Sequence, residues 1–376
     1  MALLDLDGVV YVGEHGVPGA AEALDRARAA GMRLAFVTNN ASRTPQSVAA
    51  HLRELGVHAE ADEVVTSAQA ACSVLAERLP AGARVLVVGG EGLRAAAANR
   101  GFTVVASADD DPVAVVQGYS PDTSWRDLAE ATVAIRRGAL WLASNLDLTL
   151  PSVRGPLPGN GALVGAVRLA TGVEPLAAGK PDPAMHRESV ERSHATRPLV
   201  VGDRLDTDIE GASRVGCDSL LVLTGVTTAA AVLGADPAHR PTYLAEGLDG
   251  LLAPHPAPRA EVGGGWTCGG WRVAPQPGAG QGPGADQDAG AGQGPGAGQD
   301  AGAGQGPSAA GRLVLAGSGD ALDALRALCA AAWAGEDAGA VPPTVLPEGA
   351  AAEAALDRLG LGAGAPNVPP KPVRAG

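Results

Sequence analysis

Basic residues are scarce in this chain. Lys and Arg number 28 against 41 Asp and Glu, a formal net charge of −13 over 376 residues. Gripping a phosphate backbone requires basic surface, so no nucleic-acid partner is expected. Cysteine is sparse too: Cys72, Cys217, Cys268 and Cys329 lie far apart and form no CxxC. That argues against a disulfide framework or a zinc site and makes a reducing cytoplasm the default setting. No run of about 18 unbroken apolar residues occurs, and Asp5 and Asp7 stand where a signal peptide needs its apolar stretch. No membrane partner is therefore expected. The seven histidines are scattered, none at metal-ligand spacing with a cysteine or another histidine. What remains is an acidic chain long enough to hold more than one domain.

The most informative residues come first. MALLDLDGVVY has Asp5 and Asp7 two apart at the end of an apolar run. Side chains at i and i+2 share a face of a strand, so both carboxylates would face one point just past the strand end. The glycine that follows lets the backbone turn tightly against a ligand. Such a pair suits a nucleophilic carboxylate beside a carboxylic acid that serves the leaving group. A strand ending in solvated acids would show the same triplet, so other residues must decide. Arg33 to Val37 reads as a second strand running into Thr38, Asn39 and Asn40. Gly179-Lys180-Pro181 puts a lysine in a loop. Pro198 to Val201 reads as a strand ending in GDRLDTDI, with Asp203 and Asp208 on the loop after it. Ligands bind at such strand ends in open α/β sheets.

These residues have a joint physical task. A carboxylate cannot readily attack a phosphate dianion, because like charges repel strongly in a dry site. Asp5, Asp203 and Asp208 offer the hard oxygens that Mg2+ prefers. Lys180 adds a point charge, and Thr38 with nearby backbone N–H groups adds donors for phosphoryl oxygens. Asp7 is left free to donate a proton.

The segments DLDGVVY (5–11), VTNNAS (37–42), GKP (179–181) and VGDRLDTDI (201–209) resemble the motifs of haloacid dehalogenase superfamily phosphatases. The likeness is to the group of nitrophenylphosphatases, phosphoglycolate phosphatases and NagD-type nucleotidases. The resemblance implies that Asp5 is the nucleophile, forming an aspartyl-phosphate, and that Asp7 is general acid and then base, its carbonyl joining Mg2+. It further implies that Thr38 and Asn39, with Asn40 beside them, hold the phosphoryl group, that Lys180 neutralises it, and that Asp203 ligates the metal with Asp208 close behind. The four motifs keep the family's order without departure. An α/β fold follows: a Rossmann-like core with a parallel sheet, an inserted α/β cap, and a small C-terminal α/β module.

Spacing places the cap. About 140 residues separate Asn40 from Lys180, far more than a loop needs. Residues 1–80 are assigned to the first part of the core, 81–174 to the cap and 175–254 to the second part of the core. Within the cap the pattern predicts strands at 84–88, 103–106, 113–117 and 140–143 and helices at 92–99 and 125–136. A cap over the nucleophile would exclude water and read the leaving group. GGEGLRAAAANRG at 89–101 lacks GxGxxG and is not read as dinucleotide-binding. Asn145, Asp147 and PLPGNGAL at 156–163 resemble the segment that re-enters the core at the active-site mouth, with a turn role and substrate contact both open.

Beyond the phosphatase unit, residues 255–274 read as a linker and a strand at 265–273. A tract follows that repeats with a period of twelve: GAGQGPGADQDA, GAGQGPGAGQDA, GAGQGP. Gly, Pro, Gln and Asp bury too little surface to offset chain entropy, so 275–310 is expected to be disordered. Residues 311–376 should hold a strand at 312–316 and helices at 320–334 and 350–359. The arrangement resembles the acetyltransferase-like tail of actinobacterial glycerol 3-phosphate phosphatases, but Ala316-Gly317-Ser318-Gly319 does not supply the Q/RxxGxG/A pyrophosphate loop. A docking or oligomerising module is expected, and a homo-oligomer is one assembly it would allow.

The expected function is a Mg2+-dependent phosphomonoester hydrolase acting on a small phosphorylated cytoplasmic metabolite. That tail makes glycerol 3-phosphate the leading substrate, with nucleotide monophosphates, phosphoglycolate and nitrophenyl phosphate as rivals. Two alternatives remain: transfer to an acceptor other than water, and a regulatory or scaffold protein with a vestigial site. An intact set of Asp5, Asp7, Thr38, Lys180 and Asp203 weighs against the second.

Overall fold

The computed structural model describes residues 1–150, 154–193, 195–262, 264–276, 311–334 and 342–362. The described residues form two compact units, one within 1–228 with 238–255 and another within 229–237 with 256–362. Among the described residues no helix is long and apolar enough to cross a membrane.

The first unit is built on six strands, all paired in parallel. Their spatial order is Tyr243–Ala245, Asp218–Val222, Leu199–Gly202, Ala2–Leu4, Leu34–Thr38, Val64–Thr66. Alternation along these short strands fills both faces. Leu4, Phe36, Val201 and Leu220 join Leu24 and Leu52 on one side, while Leu3, Ala35, Val37 and Val200 join Leu75 and Met185 on the other. A strand buried on both faces reads as a continuous apolar run, as these do in the sequence. The strand order reverses between Ala2–Leu4 and Leu199–Gly202, the place where doubly wound sheets open a crevice beyond their carboxyl ends.

Between the third and fourth core strands in sequence comes a separate five-stranded parallel sheet, in the order Leu176–Ala177, Leu140–Ala143, Ala114–Gln117, Arg84–Val88, Thr103–Val105. The helices Glu91–Asn99, Trp125–Arg136 and Asn160–Thr171 accompany it. The last of these lies beyond the helices expected, because Pro158 and the glycines at 159 and 161 mask its start. The sheet's last strand, Leu176–Ala177, was likewise unforeseen; two residues carry no period. GGEGLRAAAANRG has a packing role. Gly92 N donates to Ser42 O at 3.0 Å, and a Cβ on Gly90 would lie 3.0 Å from the Ser42 backbone, so these glycines let the insertion touch the core loop 41–43.

The second unit carries a sheet in the order Arg259–Ala260, Trp266–Cys268, Trp271–Gln276, Arg312–Gly317, Thr344–Glu348, antiparallel except for its last pair. The single strand expected at 265–273 is a hairpin: Gly269 and Gly270 take φ of 55° and 88° and reverse the chain. Its second strand runs on to Gln276 through Pro275, so residues 275 and 276, expected to be disordered, are instead part of the sheet. Residues 277–310, and with them the repeat, lie outside the described residues. The strand Thr344–Glu348 was not expected either; Pro347 interrupts its apolar pattern. The helix Ala229–Leu233 belongs to this unit rather than to the core around it, with Trp333 Nε1 donating to Val232 O at 3.2 Å. At the start of helix Ala321–Trp333, Asp320 Oδ1 accepts from Leu322 N and Asp320 O accepts from Trp271 Nε1, each at 2.8 Å.

Candidate active site

Asp5, Asp7, Thr38, Asn39, Asn40 and Asp203 follow or close core strands beside the reversal, whereas Lys180 comes from the loop after Leu176–Ala177 and Asp208 from the turn after Asp203. Asp5 follows Ala2–Leu4, and its N–H donates to Val201 O of the neighbouring strand at 2.8 Å. Asp203 follows Leu199–Gly202, and Thr38 closes Leu34–Thr38. Oxygens of Asp5, Asp203 and Asp208 lie within 4.8 Å of one another. Lys180 Nζ reaches into the same cluster, 2.5 Å from Asp5 Oδ1 and 2.7 Å from Asp208 Oδ1. Asp208 is on a π-helical turn, Leu205–Ile209, and not on the loop expected from GDRLDTDI. That turn has both Asp208 N and Ile209 N donating to Arg204 O, and it aims the Asp208 carboxylate back under the strand end.

The carboxylates of this cluster are nearly or wholly shielded from solvent, with exposures of 9% for Asp5, 1% for Asp203 and 0% for Asp208. Burial raises the Asp5 carboxyl well above its ordinary range; Lys180 opposes this, while Asp208 and Asp203 add to it. Burial and then Asp208 push Asp203 up to about 7. For Lys180 burial alone would favour the neutral amine, but Asp208 and Asp5 outweigh it and hold the ammonium above the usual lysine value. One ammonium among three carboxylates leaves the pocket short of positive charge. Asp203 Oδ1, moreover, is buried with no hydrogen-bond partner among the described residues. Three hard oxygens, a charge deficit and an unsatisfied carboxylate atom fit a divalent cation such as Mg2+.

Asp7 stands apart from that cluster. Its side chain reaches solvent at the mouth of the crevice, yet the surrounding protein desolvates it and raises its carboxyl, with Lys180 and Arg43 pulling the other way. Gly8, next in line, has φ of 83°, and a Cβ there would lie 2.5 Å from Asp203 Oδ2. Only glycine permits both the turn and the approach.

Thr38 is buried and its Oγ1 accepts from Asn40 N at 3.1 Å. Asn40 forms an Asx turn, Oδ1 accepting from Ser42 N and Ser42 Oγ at 2.8 and 2.7 Å. The Asn39 side chain is bonded to the Lys180 main chain and to Asp147. Both asparagines expected to face a phosphoryl group thus have side chains engaged within the protein. Several site residues escaped the sequence reading. Val226 N donates to Asp203 Oδ2 at 2.7 Å, Ser67 Oγ donates to Asn39 O at 2.6 Å, and Arg43 acts on Asp7 through space. A main-chain donor leaves no mark in sequence, but Thr66-Ser67-Ala68-Gln69 is a capping box and did mark where a helix N-terminus would meet the strand ends.

Comparison with known proteins decides the family. Residues 2–103 match the haloacid dehalogenase-like hydrolase family and residues 177–251 the HAD-hydrolase-like family. D-glycerol 3-phosphate phosphatase of Mycobacterium tuberculosis is 52% identical over 271 residues, 70% of this chain and 76% of that protein. The chain belongs to the haloacid dehalogenase-like hydrolases. Among hydrolases of this family, acid sugar phosphatase of Staphylococcus aureus (strain USA300) is 39% identical over 228 residues, 60% of this chain and 87% of the relative. Solved structures include glycerol phosphate phosphatase of M. tuberculosis in complex with magnesium, with a TM-score of 0.77, 41% identity, and coverage of 96% of this chain and 97% of that one. The p-nitrophenyl phosphatase of Archaeoglobus fulgidus superposes with a TM-score of 0.61 at 29% identity, over 66% of this chain and 96% of that one. Residues 308–361 of this hydrolase match the GCN5-related N-acetyltransferase-like domain.

Proposed function

We propose that this hydrolase is a Mg2+-dependent cytoplasmic phosphomonoesterase acting on glycerol 3-phosphate. The reading is carried by the convergence of Asp5, Asp203 and Asp208 around Lys180 at the sheet's reversal point. The relatives named for glycerol 3-phosphate or glycerol phosphate select the substrate.

Asp5, Asp203 and Asp208, with the main-chain carbonyl of Asp7, would hold Mg2+, which when bound supplies the positive charge that lets one anion approach another. Lys180 adds a fixed charge beside the phosphoryl oxygens, and the Thr38 hydroxyl offers a donor. A carboxylate oxygen of Asp5 attacks phosphorus; the bond from phosphorus to the glycerol oxygen breaks, and Asp7 donates its proton to that oxygen. Water then attacks the aspartyl-phosphate, Asp7 takes its proton, and the bond between phosphorus and Asp5 breaks to release inorganic phosphate. The raised carboxyl of Asp7 suits a group that must hold a proton before the first step. The insertion at 81–174 acts as a cap that excludes water and reads the glycerol hydroxyls. The C-terminal module serves docking or self-association rather than acyl transfer. That view is supported by Asp320, whose own carboxylate takes the helix N-terminus that a pyrophosphate would need.

The test is phosphate release from a panel of metabolite phosphates. Glycerol 3-phosphate should lead the panel, with activity lost on chelation of Mg2+ and in Asp5→Asn, a near-isosteric change. Substantial turnover by Asp5→Asn would rule out the covalent route. A different leading substrate would overturn the glycerol 3-phosphate assignment alone.

A further inference from the structure

Lys180 approaches Asp5 from a loop, and its aim depends on how its main chain is held. Both polar main-chain atoms are bound by one side chain: Lys180 N donates to Asn39 Oδ1 at 2.8 Å, and Asn39 Nδ2 donates to Lys180 O at 3.2 Å. The same Asn39 Nδ2 also donates to Asp147, 3.2 Å from each of its carboxylate oxygens. A carboxylate only accepts, so it can be met by the nitrogen of Asn39 and not by the oxygen. Asp147 thus locks the amide in the orientation that Lys180 O also requires, with Oδ1 left for the Lys180 N–H.

Asp147 is itself anchored. Its N–H donates to Asn145 Oδ1 at 3.2 Å and its carbonyl accepts from Gly161 N at 2.9 Å. Asn145 Nδ2 donates to Asn39 O at 2.7 Å, and Asn145 O accepts from Asn160 Nδ2 at 2.7 Å. Three glycines make room. A Cβ on Gly161 would strike Leu146 O, one on Gly159 would strike Asp147 O, and one on Gly179 would lie 2.5 Å from Ser144 O and 2.9 Å from Asn39 Oδ1. The segment leaving the insertion at 144–147 is thus fastened to the core loop that carries Asn39, just after Thr38, and packs closely on the loop that carries Lys180.

We infer that Asp147 is a positioning residue for the reaction: by orienting the Asn39 amide it holds the Lys180 main chain so that the ammonium stays between Asp5 and Asp208. This rests on the phosphatase reading for its kinetic readout but not for its structural one. A purely structural Asp147 would lower stability without coupling to Asn39. An Asp147 that touches substrate would raise KM and leave kcat alone.

The experiment compares Asp147→Ala, Asp147→Asn, Asn39→Ala and the double variant Asn39→Ala/Asp147→Ala with the parent full-length chain. The probe is p-nitrophenyl phosphate with Mg2+. Asp147→Ala should lower kcat on the order of tenfold with little change in KM, as expected for a displaced charge close to the reacting groups. Asp147→Asn, which keeps an acceptor for the Asn39 amide, should recover most of that. The double variant should be no slower than Asn39→Ala, since both act through one contact. Amide hydrogen exchange, which needs no turnover, should show the Lys180 N–H exchanging about tenfold faster in Asp147→Ala than in the parent. Multiplying kinetic effects, a change in KM alone, or unchanged exchange at Lys180 would overturn the inference. If the parent chain releases phosphate from neither the probe nor glycerol 3-phosphate, the phosphatase reading is what fails, and the exchange comparison still decides the role of Asp147.

Discussion

Lys180 Nζ lies 2.5 Å from Asp5 Oδ1, and this pair joins a loop near the middle of the chain to the end of its first strand. The same nitrogen lies 2.7 Å from Asp208 Oδ1, so one ammonium is shared by two shielded carboxylates. Lys180→Ala would leave both carboxylates without their shared counter-charge. Removing one partner from a buried ion pair costs about 3–5 kcal/mol. In chelator the variant should therefore unfold at a markedly lower urea concentration than the parent, and its phosphate release should fall at least about a hundredfold. A variant of parental activity would remove Lys180 from the mechanism.

The charge deficit makes stability depend on pH in a way that Mg2+ should reverse. Asp203 is pushed up to about 7 in the fold, against about 3.9 for an aspartate in an unfolded chain. Between those values the folded state binds more protons than the unfolded one, so stability falls as pH rises and this contribution is lost on passing through 7. Metal-free protein should therefore melt higher near pH 5.5 than near pH 8. A cation that binds the carboxylate competes with the proton. The rise in Tm on adding Mg2+ should thus be larger at pH 8 than at pH 5.5, which melting curves with Mg2+ and with chelator at both pH values will show. An equal rise at both would mean that the Asp203 proton is not displaced by the metal.

The core was legible because its strands are buried on both faces and end in polar groups. Leu34–Thr38 and Leu199–Gly202 are apolar runs that stop at Thr38 and Asp203, and both chemistry and topology follow from those stops. The insertion's longer elements were legible for the same reason. Short pieces were not. Leu176–Ala177 has no period to detect, and Asn160–Thr171 starts among glycines whose small size serves the close approach of residues 146 and 147. Asn39 shows the other limit. Its type and place suit a phosphoryl ligand, and nothing local reveals that its amide is bonded to Lys180, 141 positions away. Long-range contacts of this sort depend on the fold, which brings the partners together.

Gly8 tests how tightly the first motif is built. With φ of 83° and the Asp203 carboxylate where its Cβ would go, Gly8→Ala must either shift Asp203 or move the Asp7 turn. A side chain in the left-handed region alone costs on the order of 1 kcal/mol or more. Stability should fall by at least about that much, and kcat should fall about a hundredfold because metal-binding and proton-donating groups are displaced together. Urea denaturation and steady-state kinetics separate the two effects. A variant destabilised but fully active would show that the Asp7 turn tolerates movement.

Gln276 and Arg312, which flank the repeat tract in sequence, are neighbours in the second unit's sheet. Gln276 pairs with Arg312 in antiparallel register, so the strands on either side of 277–310 end next to each other. A turn of a few residues can close such a pair. Replacing 277–310 by Asn-Gly should therefore leave the sheet Trp266–Cys268, Trp271–Gln276, Arg312–Gly317 and Thr344–Glu348 intact. The loop-closure entropy of a long connection grows only with the logarithm of its length, so shortening it should change stability by no more than about 2.5 kcal/mol, and toward greater stability. Phosphate release should match the parent, because no proposed catalytic group lies beyond Asp208. Circular dichroism melting and steady-state turnover of the shortened chain check both. Loss of turnover with the melt unchanged would give the tract a direct part in catalysis.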